Sequence, residues 1–61
     1  MKHITYRILV QHGVPGIAGY HFQKVYAQNI NKGMKKALNL FEQDIPKDWE
    51  LVSIEFWEVL S

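Results

Sequence analysis

Residues 29–44 read NINKGMKKALNLFEQD, and this stretch decides the fold. Advancing about 100° per residue from Ile30 gathers Ile30, Met34, Ala37, Leu38 and Phe41 into roughly a third of the helical circle, the width of a core-facing stripe. Lys32, Lys35, Lys36, Asn39, Glu42 and Gln43 fall on the opposite side. Asn29 is the expected N-cap, because its side chain can accept from a free N–H of the first turn; Asn31 is the alternative. Gly33 costs about 1 kcal/mol against alanine inside a helix, and its place at the edge of the stripe suggests close approach to a strand. Pro46 closes the helix, so Ile45 belongs to the exit. The charges run against the macrodipole. Lysines crowd the first turns, and Glu42 and Asp44 sit in the last, where the dipole favours the reverse. Either this is an ordinary solvated face with a small penalty, or it is a basic patch held for a partner.

On the N-terminal side of this helix, His3 to Gln11 alternates with period two. Ile4, Tyr6, Ile8 and Val10 share one face; His3, Thr5, Arg7, Leu9 and Gln11 share the other. Val14-Pro15-Gly16 suits a type II turn, with proline setting φ and glycine taking positive φ. A second strand runs over about residues 17–28, with Tyr20, Phe22, Lys24 and Tyr26 on one face and His21, Gln23, Val25 and Ala27 on the other. The short connection makes a hairpin. On the C-terminal side, residues 49–60 form a third strand. Strict alternation puts Val52, Ile54 and Phe56 with Glu50 and Glu58, and Leu51, Ser53, Glu55, Trp57 and Val59 opposite.

The order strand, strand, helix, strand gives a single small α+β domain over residues 1–61, a β-β-α-β chain with one helix packed on one face of a three-stranded antiparallel sheet. The third strand is expected beside the first, in order 2-1-3. A right-handed parallel crossover beside the second strand is the alternative. One helix covers one face only. Leu51, Trp57, Val59, Tyr20 and Tyr26 then make the other face more apolar than a solvated one needs. They are candidate residues of a homodimer interface. A chain of 61 residues buries only about 60% of its unfolded surface, so association is an obvious source of added stability.

The net charge of +1 conceals a division. Residues 1–41 hold Lys2, Arg7, Lys24, Lys32, Lys35 and Lys36 and no acid, a charge of +6; residues 42–61 hold Glu42, Asp44, Asp48, Glu50, Glu55 and Glu58 against Lys47, a charge of −5. Such asymmetry marks an electrostatic surface, or two halves that pair with each other across the sheet or a dimer. Lys32, Lys35, Lys36, Arg7 and Lys24 are the candidate residues for binding a protein or nucleic acid.

The chain resembles short phage- and plasmid-encoded accessory proteins of the DpnD/PcfM-like kind. The matching residues are Tyr6-Arg7-Ile8, Ala27-Gln28-Asn29, residues 36–42 (KALNLFE) and residues 51–55 (LVSIE). That group usually carries acids in the first helical turn, where this chain has Ile30, Asn31 and Lys32. The resemblance implies a mobile-element origin and a small interacting protein, with no catalytic residues to carry over.

Most chemistry has no residues to perform it. There is no cysteine, hence no thiolate nucleophile, disulfide or thiolate metal site, which fits a cytoplasmic protein. His3, His12 and His21 stand nine apart, and although His3 and His21 could approach across the hairpin, no third metal ligand is evident. The glycines at 13 and 16 lack the lysine and the following helix of a phosphate loop. Ser53 is mid-strand, and neither it nor Ser61 sits in a nucleophile elbow. Glu50, Glu55 and Glu58 read as solvated strand charges. No enzyme, cofactor or metal is expected. No apolar run is long enough to span a membrane, and Lys2, His3 and Arg7 interrupt any secretory core. A small accessory protein that binds another protein, for instance as an inhibitor of a host defence protein, is the leading expectation. Nucleic-acid binding by the basic helix face is the alternative, weakened by the small net charge and sparse aromatic–basic interleaving.

Overall fold

The computed structural model describes residues 1–12, 17–45 and 48–60. Its elements are β1 (Lys2–His12), β2 (Ile17–Ala27), α1 (Ile30–Asp44) and β3 (Trp49–Val59). The sheet order is β2-β1-β3, and both pairings are antiparallel. This is the expected β-β-α-β architecture; the parallel crossover is not adopted. The turn expected at residues 14–16 and the helix-closing role of Pro46 lie outside the described residues.

β1 takes the centre because it is the strand with a fully apolar face. Ile4, Tyr6 and Ile8 are completely buried and Val10 nearly so. Val25 and Ala27 from β2, and Ala37 and Phe41 from α1, complete the core, with Met34, Leu40, Ile54, Ile45 and Trp49 packed against it. Residues directly opposed in an antiparallel pair share a face. β1 and β2 pair without a break from Lys2↔Ala27 to His12↔Ile17, so the expected alternation of both strands is realised.

α1 begins where its cap dictates. The Asn29 side chain accepts from the Lys32 N–H at 2.9 Å, and the Asn29 carbonyl accepts from the Gly33 N–H at 2.9 Å. It ends at Ile45, which is extended and still donates to the Phe41 carbonyl at 2.8 Å. The buried line is Gly33, Ala37 and Phe41, spaced four apart. This corrects the expected stripe, since Ile30 is exposed and Leu38 only half-buried. The helix is rolled toward Gly33 because that residue has no Cβ. Tyr6 reaches over Gly33 to donate its hydroxyl to the Ile30 carbonyl. A Cβ at position 33 would overlap that hydroxyl and lie 3.2 Å from two ring carbons of Tyr6.

β3 departs from simple alternation. Its pairing with β1 shifts register twice, between Thr5 and Tyr6 and between Leu9 and Val10. Each shift inserts one extra residue on β3, as a β-bulge does, and flips the faces of the residues beyond it. Leu51 therefore pairs with Val10 and Val59 with Ile4, on the helix side. Glu50, Glu55 and Glu58 pair with Gln11, Arg7 and Thr5, together on the open side. Strict alternation had separated Glu55 from the other two and placed Leu51 and Val59 on the open side; both assignments are corrected.

Among the described residues, no helix is long and apolar enough to cross a membrane.

Candidate protein-binding surface

The face of the sheet away from α1 is an aromatic surface with a cation at its centre. Its rows are set by the register: Tyr26 beside His3; Lys24, Thr5 and Glu58; Phe22, Arg7 and Glu55; Tyr20, Leu9 and Ser53; Ala18, Gln11 and Glu50. Tyr20 is 58% exposed, Phe22 49%, Tyr26 47% and Trp57 46%, and no described element covers them.

Arg7 ties Tyr20 to Trp57. Its guanidinium carbon lies 4.4 Å from the Tyr20 ring centroid and 4.8 Å from that of Trp57, within cation–π range of both. It also pairs with Glu55. Both partners are partly solvated, so the ion pair itself adds at most about 1 kcal/mol. Phe22 meets Trp57 edge-on at 5.3 Å between centroids, a favoured aromatic geometry. Beneath these side chains Thr5 is buried, and among the described residues its hydroxyl has no hydrogen-bond partner.

Of the expected dimer residues, Tyr20, Tyr26 and Trp57 come together on this face, while Leu51 and Val59 do not. The expected set omitted Phe22. Its signal was present in the alternation that already placed it with Tyr20 and Tyr26. Of the expected cationic residues, Arg7 and Lys24 stand on the sheet face and Lys32, Lys35 and Lys36 on the helix, so the five form no single patch. Lys32 donates to the Gln28 side chain at 2.7 Å, and Lys36 donates to the Tyr26 carbonyl at 2.7 Å. These two lysines fasten the start of the helix to the end of β2.

The three histidines each lie against a ring: His3 against Tyr26 at 4.6 Å, His12 against Trp49 at 4.8 Å and His21 against Phe41 at 5.6 Å. His3 and His21 do not meet. His3 pairs with Tyr26 and His21 with Ile8, on opposite faces of the sheet. Among the described residues no three His, Asp or Glu side chains gather as metal ligands would. Two shallow clefts flank the helix. One of about 220 Å³ is lined by Val10, Tyr20, His21, Phe41, Ile45 and Trp49. The other, of about 270 Å³, involves Met1, Tyr26, Gln28, Lys32 and Lys36.

No protein-family model, curated protein or solved structure matches the chain. What the protein binds must therefore be argued from these surfaces.

Proposed function

We propose that this chain is a small, non-enzymatic protein-binding domain that self-associates through its open aromatic sheet face. The observation that carries this reading is the cluster of Tyr20, Phe22 and Trp57 around Arg7, with Tyr26 further along the same face, each about half exposed. Clustered exposed aromatics with an arginine are the composition of interface hot spots. A two-layer domain of this size also gains most from a third layer. The helix is left free to meet a second protein, and Lys35 is the cation that points such a contact toward an acidic surface. The resemblance to phage- and plasmid-encoded accessory proteins supports an origin in a mobile element and a host protein, such as a defence protein, as that second partner.

The charge of the open face favours protein over nucleic acid. Arg7 and Lys24 share it with Glu50, Glu55 and Glu58, and Arg7 is already paired. A strand of nucleic acid stacked on the aromatics would bring its phosphates against the three glutamates. Phosphate contacts supply most non-specific affinity, so this placement opposes it.

Sedimentation velocity tests the proposal. A dimer is expected at about micromolar to tens of micromolar concentration, the range of modest interfaces. Phe22→Ser with Trp57→Ser should give a folded monomer. A wild-type monomer throughout that range overturns self-association. Salt-sensitive binding to single-stranded DNA or RNA, lost on Lys32→Glu with Lys35→Glu, would favour nucleic acid instead.

A further inference from the structure

Which backbone groups of the sheet are free is decided by one hydrogen bond. The Leu60 N–H donates to the His3 carbonyl at 2.7 Å, so His3 directs its backbone toward β3. In an antiparallel ladder a residue's N–H and C=O point to the same neighbour, and successive residues alternate. Even-numbered residues of β1 therefore face β2. There they pair with Ala27, Val25, Gln23, His21, Gly19 and Ile17, with no break in register. The intervening residues Ala18, Tyr20, Phe22, Lys24 and Tyr26 turn their N–H and C=O groups to the outer edge.

Two side-chain contacts agree with this assignment. The Tyr26 carbonyl accepts from Lys36 and the Lys24 carbonyl accepts from the Gln23 side chain at 3.3 Å. That end of the edge is closed. Among the described residues nothing bonds the outward groups of Ala18, Tyr20 and Phe22.

The two edges of the sheet differ. β3 has two register shifts and three glutamates, devices that blunt an edge against strand addition. β2 has no register shift, no proline and no acid. Cations gather at the end of β2 just beyond Phe22: Lys24 on the open face, and Lys32 and Lys36 of α1 at Gln28 and Tyr26. The apolar cleft of about 220 Å³ also meets β2 at Tyr20 and His21, on the helix side.

We infer that the edge of β2 from Ala18 to Phe22 is a strand-addition site for an extended segment of a partner protein, one that alternates acidic with large apolar residues. The inference rests on the protein-binding reading but uses a different surface from the aromatic face. Alternate residues of an extended chain are about 6.8 Å apart, so one face of the added strand would meet the three open backbone pairs in step. Its apolar side chains would lie on the helix side, where one enters the cleft beside His21 and Phe41. Its carboxylates would lie on the open side with Lys24. A second copy is a poor occupant, because its acidic strand is the interrupted β3.

The probe is the blocked peptide acetyl-Glu-Val-Glu-Leu-Glu-Val-Glu-amide, titrated to about millimolar into ¹⁵N-labelled protein, with the lysine-for-glutamate peptide as its counterpart. The expected result is amide shifts centred on residues 18–22 and at least tenfold slower exchange of the Ala18, Tyr20 and Phe22 amides. Phe22→Pro deletes one outward N–H at an edge position that tolerates proline, while Phe22→Ala keeps the N–H and loses only the ring. Binding should fall at least tenfold further in Phe22→Pro than in Phe22→Ala. Equal binding by the two variants, shifts confined to Trp57 and Tyr26 or to the helix, or no shift at all overturns the edge site. Equal binding of the lysine peptide overturns its acidic specificity. If Phe22→Pro fails to fold, amide exchange in the wild-type protein still decides. Edge shifts in a protein that sediments as a monomer would sink the aromatic-face dimer and keep this site; a dimer without edge shifts would do the opposite.

Discussion

Replacing Gly33 by alanine, alone and together with Tyr6→Phe, tests the contact that seats the helix. In an open helix Gly→Ala gains about 1 kcal/mol. Here the new Cβ would overlap the Tyr6 hydroxyl and press on two ring carbons at 3.2 Å. Tyr6 is fully buried and cannot swing out, so the ring or the helix must shift. Overpacking of this kind costs about 1–3 kcal/mol, and losing the hydrogen bond to the Ile30 carbonyl adds about 1 kcal/mol. The net expectation for Gly33→Ala is a destabilisation of about 1–3 kcal/mol despite the better helix former. Tyr6→Phe alone removes the hydroxyl and should cost about 1 kcal/mol. In that background the overlapping atom is gone and the ring carbons need yield by only a few tenths of an ångström. Gly33→Ala should then be neutral or stabilising. The two changes should couple by about 1–4 kcal/mol, read from urea unfolding followed by tryptophan fluorescence. Additive effects, or a Gly33→Ala protein more stable than wild type by the full helix propensity, would refute the roll of α1 toward Gly33.

Asn29→Ala should cost about 1 kcal/mol by removing the cap on the Lys32 N–H, with a fall in midpoint of several degrees on thermal unfolding. A second expectation concerns alkaline pH. Burial pushes the Tyr6 phenol above its ordinary value of 10.0, so the folded state holds this proton more tightly than the unfolded chain. The stability from this site is complete below the unfolded value and is lost as pH rises from there through the folded one. Wild type should lose stability above about pH 10 more steeply than Tyr6→Phe, measured by urea midpoints across that range; parallel profiles would exclude the effect.

Particular residues show why some of this was legible in the sequence. The period-two run of Ile4, Tyr6, Ile8 and Val10 named the central strand, because a strand buried on one face has no other way to read. Asn29 and Ile45 bounded the helix through backbone chemistry that is local to them. Order 2-1-3 would let opposite charges meet across the sheet, and Arg7 does meet Glu55 across that pair. The misreadings are also physical. A glycine adds nothing to an apolar stripe, so periodicity centred the stripe elsewhere, although Gly33 at its edge did announce the close approach that Tyr6 of β1 makes. The register shifts in β3 fall in a segment with neither glycine nor proline to mark them, and one extra residue flips every side chain beyond it. Glu50, Glu58, Leu51 and Val59 were misplaced for that reason alone. The candidate surface was half legible for the same cause, since Tyr20 and Tyr26 lie on an unbroken strand.

The lysines that stand against the helix dipole now have a partial account. Lys32 and Lys36 hold the first turns of α1 to Gln28 and Tyr26, a tether that an acid at either position could not make to a carbonyl oxygen. What remains of the charge division is a difference between edges. β2 carries cations at its Lys24 end and β3 carries glutamates, and in the order β2-β1-β3 these are the two outer strands. The β2 edge of one copy thus attracts the β3 edge of the next. That contact is head-to-tail, leaves a free edge at each end and would propagate rather than close. The register shifts in β3 interrupt the outward ladder such a contact needs, and Lys36 and Gln23 already occupy two carbonyls of β2. A basic edge beside an acidic one is tolerable in a single chain only with such interruptions. The segment left open, Ala18 to Phe22, is short enough to admit a peptide and too short to template a sheet.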